Sequence, residues 1–582
     1  MMRASSRLQP LIALLVFAVP ACVVAVLATT VPEVGRDVET VRLLGARTLG
    51  TWGGTSRTLD AVAGAASGLL PVATHAARVC IASGMLVGVT AWLLWMALRR
   101  SYRSAVDATS TMTSWMAVVV PMAAVLSTPW LTEAAQGLSS VLAALLVLVP
   151  GLVVLARSDQ PRLALAVAVL ALSYDLGIGL AAACGLLFAL STREMPSFKS
   201  MQPWIAAAVL LLGLRGLGWA LKLRDLSLAT NTPSTTLVSL RAFASSHVGL
   251  VVGTLALLTL VTGALQPALR RHLAPWIAWT FAAGFGATFE PLSLPLEGAF
   301  GWPALVLVVS SCALAGFCIV SAMAWLTARK IAFARTNSTL LLLLFSALPV
   351  VRFDSALSRL DEARANNQSR WDLYAFGTMP QGAVALIADE RMRWRMAAAR
   401  MGGGWLSGVA MMDPTHPASA VATRVIAQEP RLHEAWRALL FQGRLSEFGL
   451  SLVAESRPVL MHCDPKYDRA LLRHLMPTRV LSEYEREPRA LSDRKRALEN
   501  ARRETQAYAR LLEAMSEGAG RQLGVQQLRR RVLCVAAAGD RDLVPVLAED
   551  VMRVTGQDAF IDVILRRARE GQGSVDVKDL QP

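Results

Sequence analysis

Three carboxylates, Glu33, Asp37 and Glu39, lie within seven positions of one another, directly after the first long apolar run of the sequence. A partly desolvated carboxylate has a raised pKa and can take a proton from a substrate hydroxyl near neutral pH. Asp37 is the first candidate for such a general base, Glu39 the alternate and Glu33 the third. The same residues also suit the first turn of a helix, where the backbone dipole favours negative charge. The sequence leaves both interpretations open.

The composition is that of a membrane protein. Of 582 residues, 54% are hydrophobic and only 17% are charged, and the mean hydropathy is +0.45, which is too apolar for a soluble chain of this length. In a soluble protein a net charge of +16 would indicate nucleic-acid binding. Here many basic residues lie in short segments between apolar runs, where they determine topology and contact anionic headgroups. We therefore expect membrane lipid, and no nucleic acid, as a partner.

The apolar runs predict about eleven spans, because a hydrocarbon core of roughly 30 Å takes about 20 helical residues and fewer where a helix is shielded. The runs are Leu11–Ala28, Val79–Leu98, Met112–Pro129, Leu138–Ala156, Leu163–Tyr174, Leu176–Leu190, Trp204–Gly218, Val248–Leu265, Pro275–Phe289, Pro303–Leu326 and Thr339–Val351. The fifth and sixth are predicted to form a re-entrant pair of short helices, because a polar interval around Asp175 separates them. The first run is predicted to be an uncleaved helix.

Basic residues occur in alternate connecting segments. Arg99 to Arg103 and Arg329 to Arg335, among others, fall on one side under this count, whereas 130–137 and 290–302 contain no Lys or Arg. Short loops rich in Lys and Arg stay in the cytoplasm. We therefore expect a cytoplasmic N-terminus, with the large first loop 30–78, the loop 219–246 and the whole tail from Arg352 on the opposite face.

The tail changes character. Three short strands are predicted at Gly382–Asp389, Leu406–Met412 and Val459–His462, with helices such as Arg431–Gln442 and Tyr467–Leu475 between them. Alternation of this kind predicts a small α/β domain over 352–487. The charged, helical sequence over 488–582 predicts a helical bundle with a loose end from 570. The predicted fold class is an α-helical polytopic membrane protein, with 1–351 as the membrane domain and a C-terminal soluble α/β plus helical domain.

Five charged residues are candidates for substrate contacts. Lys222, Arg224 and Arg241 flank the segment between the seventh and eighth runs, and a guanidinium there could bind a phosphate in a bidentate manner. They also suit ordinary surface positions. Arg215 lies inside an apolar run, where a charge is costly unless it is paired, and Asp175 is its possible partner. An ion pair and a substrate contact both remain open for these two.

Polar residues of the tail give weaker signals. His462, Cys463, Asp464 and His474 match no strong metal-binding spacing, so we predict no metal site. Cys463 and Cys534 are the two cysteines of the tail, and they could pair if the tail is exported. Spacing alone does not define a disulfide.

Several short segments provide context for the acidic cluster. Leu49-Gly50 follows it, Gly53–Ser56 comes next, and Asn231–Thr235 lies in a predicted outer loop. With Asp37 and Glu39 after the first span, the chain resembles the polytopic glycosyltransferases of the GT-C class, and among them bacterial relatives of a protein O-mannosyltransferase family. That family has an acidic motif and a Leu-Gly at matching places. It has His-Pro-Pro-Gly where Gly53–Ser56 stands, and a Trp and an Asp that the 231–235 segment does not contain.

The tail adds to this resemblance, since Met379–Val384 and Arg457–Leu460 are similar to the family's soluble α/β domain. The resemblance implies transfer of a sugar from a polyprenyl-phosphate donor to a hydroxyl of a protein or glycan acceptor, at the outer face of a bacterial inner membrane. Asp37 or Glu39 would be the base, and the nearby cations would bind the donor. No cofactor is established, and a divalent cation remains open.

Two other functions remain open from the sequence. A non-catalytic relative could act as a lipid- or glycan-binding protein or an assembly scaffold, and the family residues that are replaced here favour it. A transporter is the weakest hypothesis, because apart from Asp175 and Arg215 the predicted spans have almost no ionisable residues to form an ion path.

Overall fold

The computed structural model describes residues 2–29, 33–44, 58–71, 74–106, 111–157, 160–192, 198–220, 248–265, 267–288, 301–329, 334–365, 368–403, 405–406, 408–418, 420–464, 467 and 469–570. The chain forms two compact units. The first contains 1–30 and 57–361, and the second contains 31–56 and 362–582. The sequence suggested boundaries at 351 and 487. A continuous helix, Ala334–Ala365, crosses the first of these positions, and 488–582 belongs to the same unit as the sheet.

Helices make up most of the described chain. In chain order they are α1 Met2–Leu27, α2 Asp37–Leu44, α3 Thr58–Ser67, α4 His75–Val106, α5 Thr111–Val125, α6 Thr128–Gln136, α7 Ser139–Ala156, α8 Pro161–Tyr174, α9 Leu176–Ser191, α10 Phe198–Ala220, α11 Leu250–Leu265, α12 Pro267–Thr288, α13 Gly301–Ala328, α14 Ala334–Ala365, α15 Gln368–Phe376, α16 Glu390–Gly403, α17 Ala420–Gln428, α18 Leu432–Gln442, α19 Glu447–Ala454, α20 Arg469–Arg473, α21 Leu491–Ala514, α22 Ala519–Ala538, α23 Val544–Thr555 and α24 Ala559–Glu570. The strands are β1 Val384–Leu386, β2 Ala410–Met412, β3 Val459–Met461, β4 Leu475–Pro477 and β5 Ser482–Tyr484.

The first unit is helical and apolar, and each predicted run lies largely within a helix. Within the described residues, four helices are long and apolar enough to cross a membrane, in α1, α4, α7 and α13, and a fifth span results if the bent pair α5 and α6 counts as one. Their length and apolar composition support a membrane protein. The total of about eleven spans stays a prediction.

Two breaks interrupt the apolar runs of the first unit. The run Met112–Pro129 was predicted as one helix, but α5 and α6 meet at 55°. Ser127 is in an extended conformation there and Pro129 lies at the start of α6, where its fixed φ suits a new helix. The second break, between α8 and α9, matches the prediction. The Asp175 carboxylate accepts the backbone N–H of Gly177 at 2.9 Å and so caps α9.

Three helices of this unit, α7, α9 and α12, pack closely through small residues. Trp279 of α12 is fully buried and lies against Gly151 of α7 and Gly185 of α9. A Cβ at either glycine would overlap the indole, so the two glycines permit this close approach. By contrast α1 has apolar residues such as Leu14 and Val26 at its surface, as expected of a helix that faces lipid.

The second unit contains a five-stranded sheet in the order β2-β1-β3-β5-β4. Strands β2, β1 and β3 are parallel, and β5 is antiparallel to both β3 and β4. The three predicted strands are confirmed, each shorter than predicted, while β4 and β5 were missed. The predicted helix Tyr467–Leu475 is wrong at its end, because Leu475 begins β4.

One hydrophobic core joins the sheet to the C-terminal helices. It includes Leu386 and Leu460 from the strands, Leu512 from α21 and Val532 from α22, together with Val34 from the N-terminal part of the chain. Residues 33–44 are therefore an integral part of this unit. The first predicted outer loop is divided, because 58–78 belongs to the first unit.

Candidate functional site

Asp37 is the first residue of α2, in the second unit. Gly35, two residues earlier, has a φ of 105°, a conformation that glycine adopts without strain. The helix α2 packs against α16, and this contact leaves the Asp37 side chain 9% exposed. Its Oδ1 accepts a hydrogen bond from Arg395 Nη1 at 2.6 Å.

Arg395, at the centre of α16, binds two carboxylates at once. Its side chain is fully buried. Nη1 donates to Asp37, while Nη2 donates to Asp372 Oδ1 and to the Gln368 carbonyl, the latter at 3.0 Å. The guanidinium also lies 5.0 Å from the centre of the Trp371 ring, a favourable cation–π geometry. We call Asp37, Asp372 and Arg395 the buried ion cluster.

Burial governs the protonation of the buried ion cluster. Desolvation raises the pKa of Asp37 even though Arg395 opposes the shift, and it raises the pKa of Asp372 to about 7, with the charge of Asp37 adding to the effect. Burial lowers the pKa of Arg395, but the two carboxylates outweigh it and the net shift is upward. One guanidinium serves two carboxylates, so the cluster as a whole can hold one proton near neutral pH.

The other two acidic candidates lie close by in sequence but have different surroundings. Glu39 is buried and pairs with Arg36, whose Nη1 lies 3.2 Å from its Oε2. The backbone carbonyl of Glu33 accepts the N–H of Arg36 at 3.3 Å. Asp37 is held by a side chain from a distant helix, Arg395 of α16, and its role as a base stays a prediction.

Most of the predicted phosphate contacts fall outside the part of the chain that the structure describes. Lys222, Arg224 and Arg241 lie in the segment 221–247, which the structure does not describe, and Arg215 lies in α10 with a side chain that is likewise not described. Asp175 is described, and it caps α9. The Asp175–Arg215 ion pair and the donor-binding roles of the four basic residues therefore remain predictions.

Sequence reasoning missed Asp372 and Arg395. Arg395 is separated from Asp37 by 358 positions, so no local motif joins them. One signal was available, because Met392, Met396 and Ala399 are all buried and flank Arg395 at helical spacing. An arginine on the apolar stripe of a helix requires a buried acidic partner.

A further buried carboxylate was missed in the first unit. Asp60 of α3 is fully buried, and its Oδ1 accepts the hydroxyl proton of Tyr174 at 2.7 Å. Tyr174 is the last residue of α8, immediately before the break at Asp175. This hydrogen bond fixes the first-unit part of the predicted outer loop to the tip of the α8–α9 pair.

The tail cysteines form a disulfide. Cys463 follows β3 and Cys534 lies on α22, and their Cα atoms are 6.2 Å apart, a separation typical of a disulfide. The two histidines of the 462–474 segment have separate hydrogen-bond partners. His462 Nε2 lies 2.9 Å from Gln527 Oε1, and His474 Nδ1 lies 2.7 Å from the Glu485 carbonyl oxygen. Within the described residues, no group of three or more His, Cys, Asp or Glu side chains is arranged to hold a metal.

Among known proteins, only comparison with solved structures gives a match. No protein-family model matches the chain, and comparison with curated proteins finds no match. Among solved structures, the chain is similar to the apo form of the oligosaccharyltransferase of Archaeoglobus fulgidus, at 10% identity and a TM-score of 0.40, covering 72% of this chain and 68% of that one.

Proposed function

We propose that this chain is a membrane-bound, glycosyltransferase-like protein that transfers a sugar from a polyprenyl-phosphate donor to an acceptor hydroxyl on the extracytoplasmic face. The observation that carries the proposal is the burial of the Asp37 carboxylate, because burial raises the pKa of this group. Such a group takes up a proton near neutral pH more readily than an exposed aspartate. Glu39 is the alternate base.

In the proposed reaction Asp37 removes the proton of the acceptor hydroxyl. The acceptor oxygen forms a bond to the anomeric carbon, the bond between that carbon and the phosphate oxygen breaks, and the polyprenyl phosphate leaves with the bonding electrons. Arg395, 2.6 Å from the Asp37 carboxylate, keeps it oriented. Arg215, Lys222, Arg224 and Arg241 are the proposed contacts of the phosphate, since guanidinium and ammonium groups offset the charge that develops there.

A second candidate function is supported by the burial of the same residues. Asp37 and Asp372 are both engaged by Arg395, and their side chains are 9% and 0% exposed. An acceptor hydroxyl would have to displace part of this contact to reach Asp37. A purely structural cluster would keep the Asp37–Arg395 contact intact. The burial of these residues therefore favours the alternative of a non-catalytic lipid- or glycan-binding protein or assembly scaffold.

The cellular location is part of the proposal. A disulfide persists in an oxidising compartment and is rare in the cytoplasm, so the Cys463–Cys534 bond supports an extracytoplasmic tail. The alternation of basic loops supports a cytoplasmic N-terminus, and we infer a bacterial inner membrane. Membrane lipid, a polyprenyl-phosphate sugar and a protein or glycan acceptor are the proposed partners.

The test is a transfer assay with purified full-length protein and a panel of polyprenyl-phosphate sugars. We expect Asp37→Asn to lower turnover by roughly a hundred- to ten-thousand-fold, the usual loss when a general base is removed, and Glu39→Gln to do less. The matched control is Glu434→Gln, a partly exposed carboxylate on α18, which should leave turnover unchanged.

A thermal-shift measurement with the same lipids separates the two candidate functions. A bound lipid raises the melting temperature whether or not turnover occurs. Full activity of Asp37→Asn would eliminate the base assignment. A thermal shift without turnover would establish the non-catalytic candidate, and the absence of both across the panel would remove the glycosyltransferase-like function altogether.

A further inference from the structure

The parallel part of the sheet has a topological switch point at β1. The chain runs from β1 to β2 on one side of β1 and then crosses to β3 on the other side. His462 donates its backbone N–H to the Leu386 carbonyl at 2.8 Å, and Ile387 donates to the Met412 carbonyl at 2.9 Å, so the three strands end level with one another. In open α/β sheets, ligands bind outside the carboxyl ends of strands where the chain direction divides in this way.

Charged residues follow each of the three strands at this edge. Asp389 comes after β1 and lies 3.6 Å from Arg530 of α22. Asp413 comes directly after β2, and its carboxylate pairs with Arg393 of α16 and, at 2.8 Å, with His416 Nδ1. Arg393 and His416 are the most accessible of these groups, with side chains 23% and 60% exposed, whereas Arg530, Asp413 and Asp389 are 16%, 10% and 9% exposed. The edge therefore presents donors and acceptors that a ligand can reach.

His462, which follows β3, is a buried polar group at the same edge. It is 1% exposed. Its Nε2 is hydrogen-bonded to Gln527, but its Nδ1 has no partner in the described part of the molecule. Burial, and next the charge of Arg530, lower the pKa of His462 to about 4, so the imidazole is neutral near pH 7. A buried polar atom without a partner costs free energy unless water or a ligand satisfies it.

The disulfide holds α22 to this edge. Gln527, Arg530 and Cys534 are spaced by three and four positions, so they share one face of α22. Cys534 is bonded to Cys463, the residue after His462, and the Cys463 carbonyl accepts a hydrogen bond from Arg530 Nη1 at 3.4 Å. The covalent bond therefore places Arg530 and Gln527 beside His462.

The charge balance of the edge identifies a class of ligand. Arg393 is paired with Asp413 and Arg530 with Asp389, the charge of Asp464 also acts on Arg530, and His462 is neutral. An anion would meet three carboxylates and a cation would meet two guanidinium groups. A neutral molecule with many hydroxyls can donate to the carboxylates and accept from the arginines at the same time.

We propose that the carboxyl edge of strands β1, β2 and β3 is a binding site for a neutral carbohydrate, with Arg530, Asp413 and His462 as its polar contacts. The site goes beyond the transfer reaction, because it involves neither Asp37 nor a polyprenyl-phosphate donor. Arg393 and Arg395 are two positions apart on α16, which separates them by about 200° around the helix. The helix thus carries the proposed site on one face and the buried ion cluster on the other.

The experiment measures binding to the full-length protein in detergent by isothermal titration. The probes are maltopentaose, cellopentaose and mannopentaose, with inorganic phosphate and spermidine as the anionic and cationic comparisons. We expect at least one neutral oligosaccharide to bind, and Arg530→Gln and Asp413→Asn each to weaken it about tenfold or more, since each removes a charge-assisted hydrogen bond. Arg437→Gln, which alters an arginine 59% exposed on α18, is the matched control and should bind as the unmodified protein does.

The outcomes are distinguishable from those of the transfer assay. Asp37→Asn should bind the oligosaccharide normally, so a failed transfer reaction leaves this site untouched. If Arg530→Gln does not fold, His416→Ala decides the matter, because that side chain is largely exposed and its Nδ1 lies 2.8 Å from the Asp413 carboxylate. Its loss frees this contact residue and should still weaken binding. The proposal is overturned if no neutral oligosaccharide binds, if phosphate or spermidine binds in its place, or if the folded variants bind with unchanged affinity.

Discussion

At the scale of residues, the chemistry of the second unit depends on one arginine. Sequence reasoning selected Asp37 from its type and position, and the structure places it in an ion cluster with a raised pKa. The sequence could not identify Arg395 or Asp372 as partners of Asp37. These residues come together through the packing of α2, α15 and α16 and not through spacing along the chain. Removing Arg395 alone would leave buried carboxylates without a counter-charge, which typically costs about 3–5 kcal/mol.

The buried ion cluster makes stability depend on pH. The pKa of Asp372 is raised from 3.8 to about 7 in the folded protein. Between about pH 4 and pH 7, Asp372 is ionised in the unfolded chain but still protonated in the folded protein. Folding therefore takes up a proton in this range, and a rise in pH favours unfolding. We expect the free energy of unfolding of the second unit to fall by an amount on the order of 2–4 kcal/mol from about pH 4 to pH 7, and then to level off. Thermal melting in detergent at several pH values measures this.

Asp372→Asn is the matched variant for this measurement. Asparagine has nearly the same shape and carries no titratable proton, so the difference between the two pH profiles reports the titration of Asp372 together with its coupling to Asp37. The other two members of the buried ion cluster, Asp37 and Arg395, are the same in both proteins. An identical slope in the variant would show that the proton resides elsewhere.

At the scale of elements, local signals succeeded where one residue determines the outcome. The break at Asp175 was predicted because a polar interval separates two apolar runs, and the aspartate caps α9 as such residues do. Strand β4 was missed because it contains Pro477, which counts against a strand. The sheet tolerates it because β4 is at the edge. That information is tertiary and cannot be read from the sequence.

The disulfide is the element-scale feature with the largest expected effect. It closes a separation of 71 positions, and Cys463→Ser should destabilise the second unit by about 2–5 kcal/mol. Unfolding in denaturant, with and without reductant, gives the value. Cys22→Ser is the control, since Cys22 is a free cysteine on α1 and its loss should leave the second unit unchanged. Equal stability of Cys463→Ser and the unmodified protein would contradict a structural role for the bond.

At the scale of the whole molecule, the division of the chain constrains the topology. Asp37 and Arg395 are in contact within one unit, so residues 33–44 and the tail must lie on the same side of the membrane. The chain between them therefore crosses an even number of times. The three single helices α4, α7 and α13 would give an odd number, whereas counting α5 and α6 as one further span restores an even number. Ten crossings after α1, the sequence prediction, also satisfy the rule.

Reporter fusions test both this rule and the direction of insertion. Fusions of alkaline phosphatase, which is active only when exported, should be active at Leu44 and at Gln368 and inactive at Lys199. A green fluorescent protein fusion at each position should give the reciprocal pattern. The basic loops and the disulfide both favour this orientation. If Gln368 and Lys199 were both cytoplasmic, the predicted orientation and the extracytoplasmic placement of Asp37 would be wrong. Opposite locations for Leu44 and Gln368 would contradict the Asp37–Arg395 contact itself, since no ion pair can join residues on two sides of a membrane.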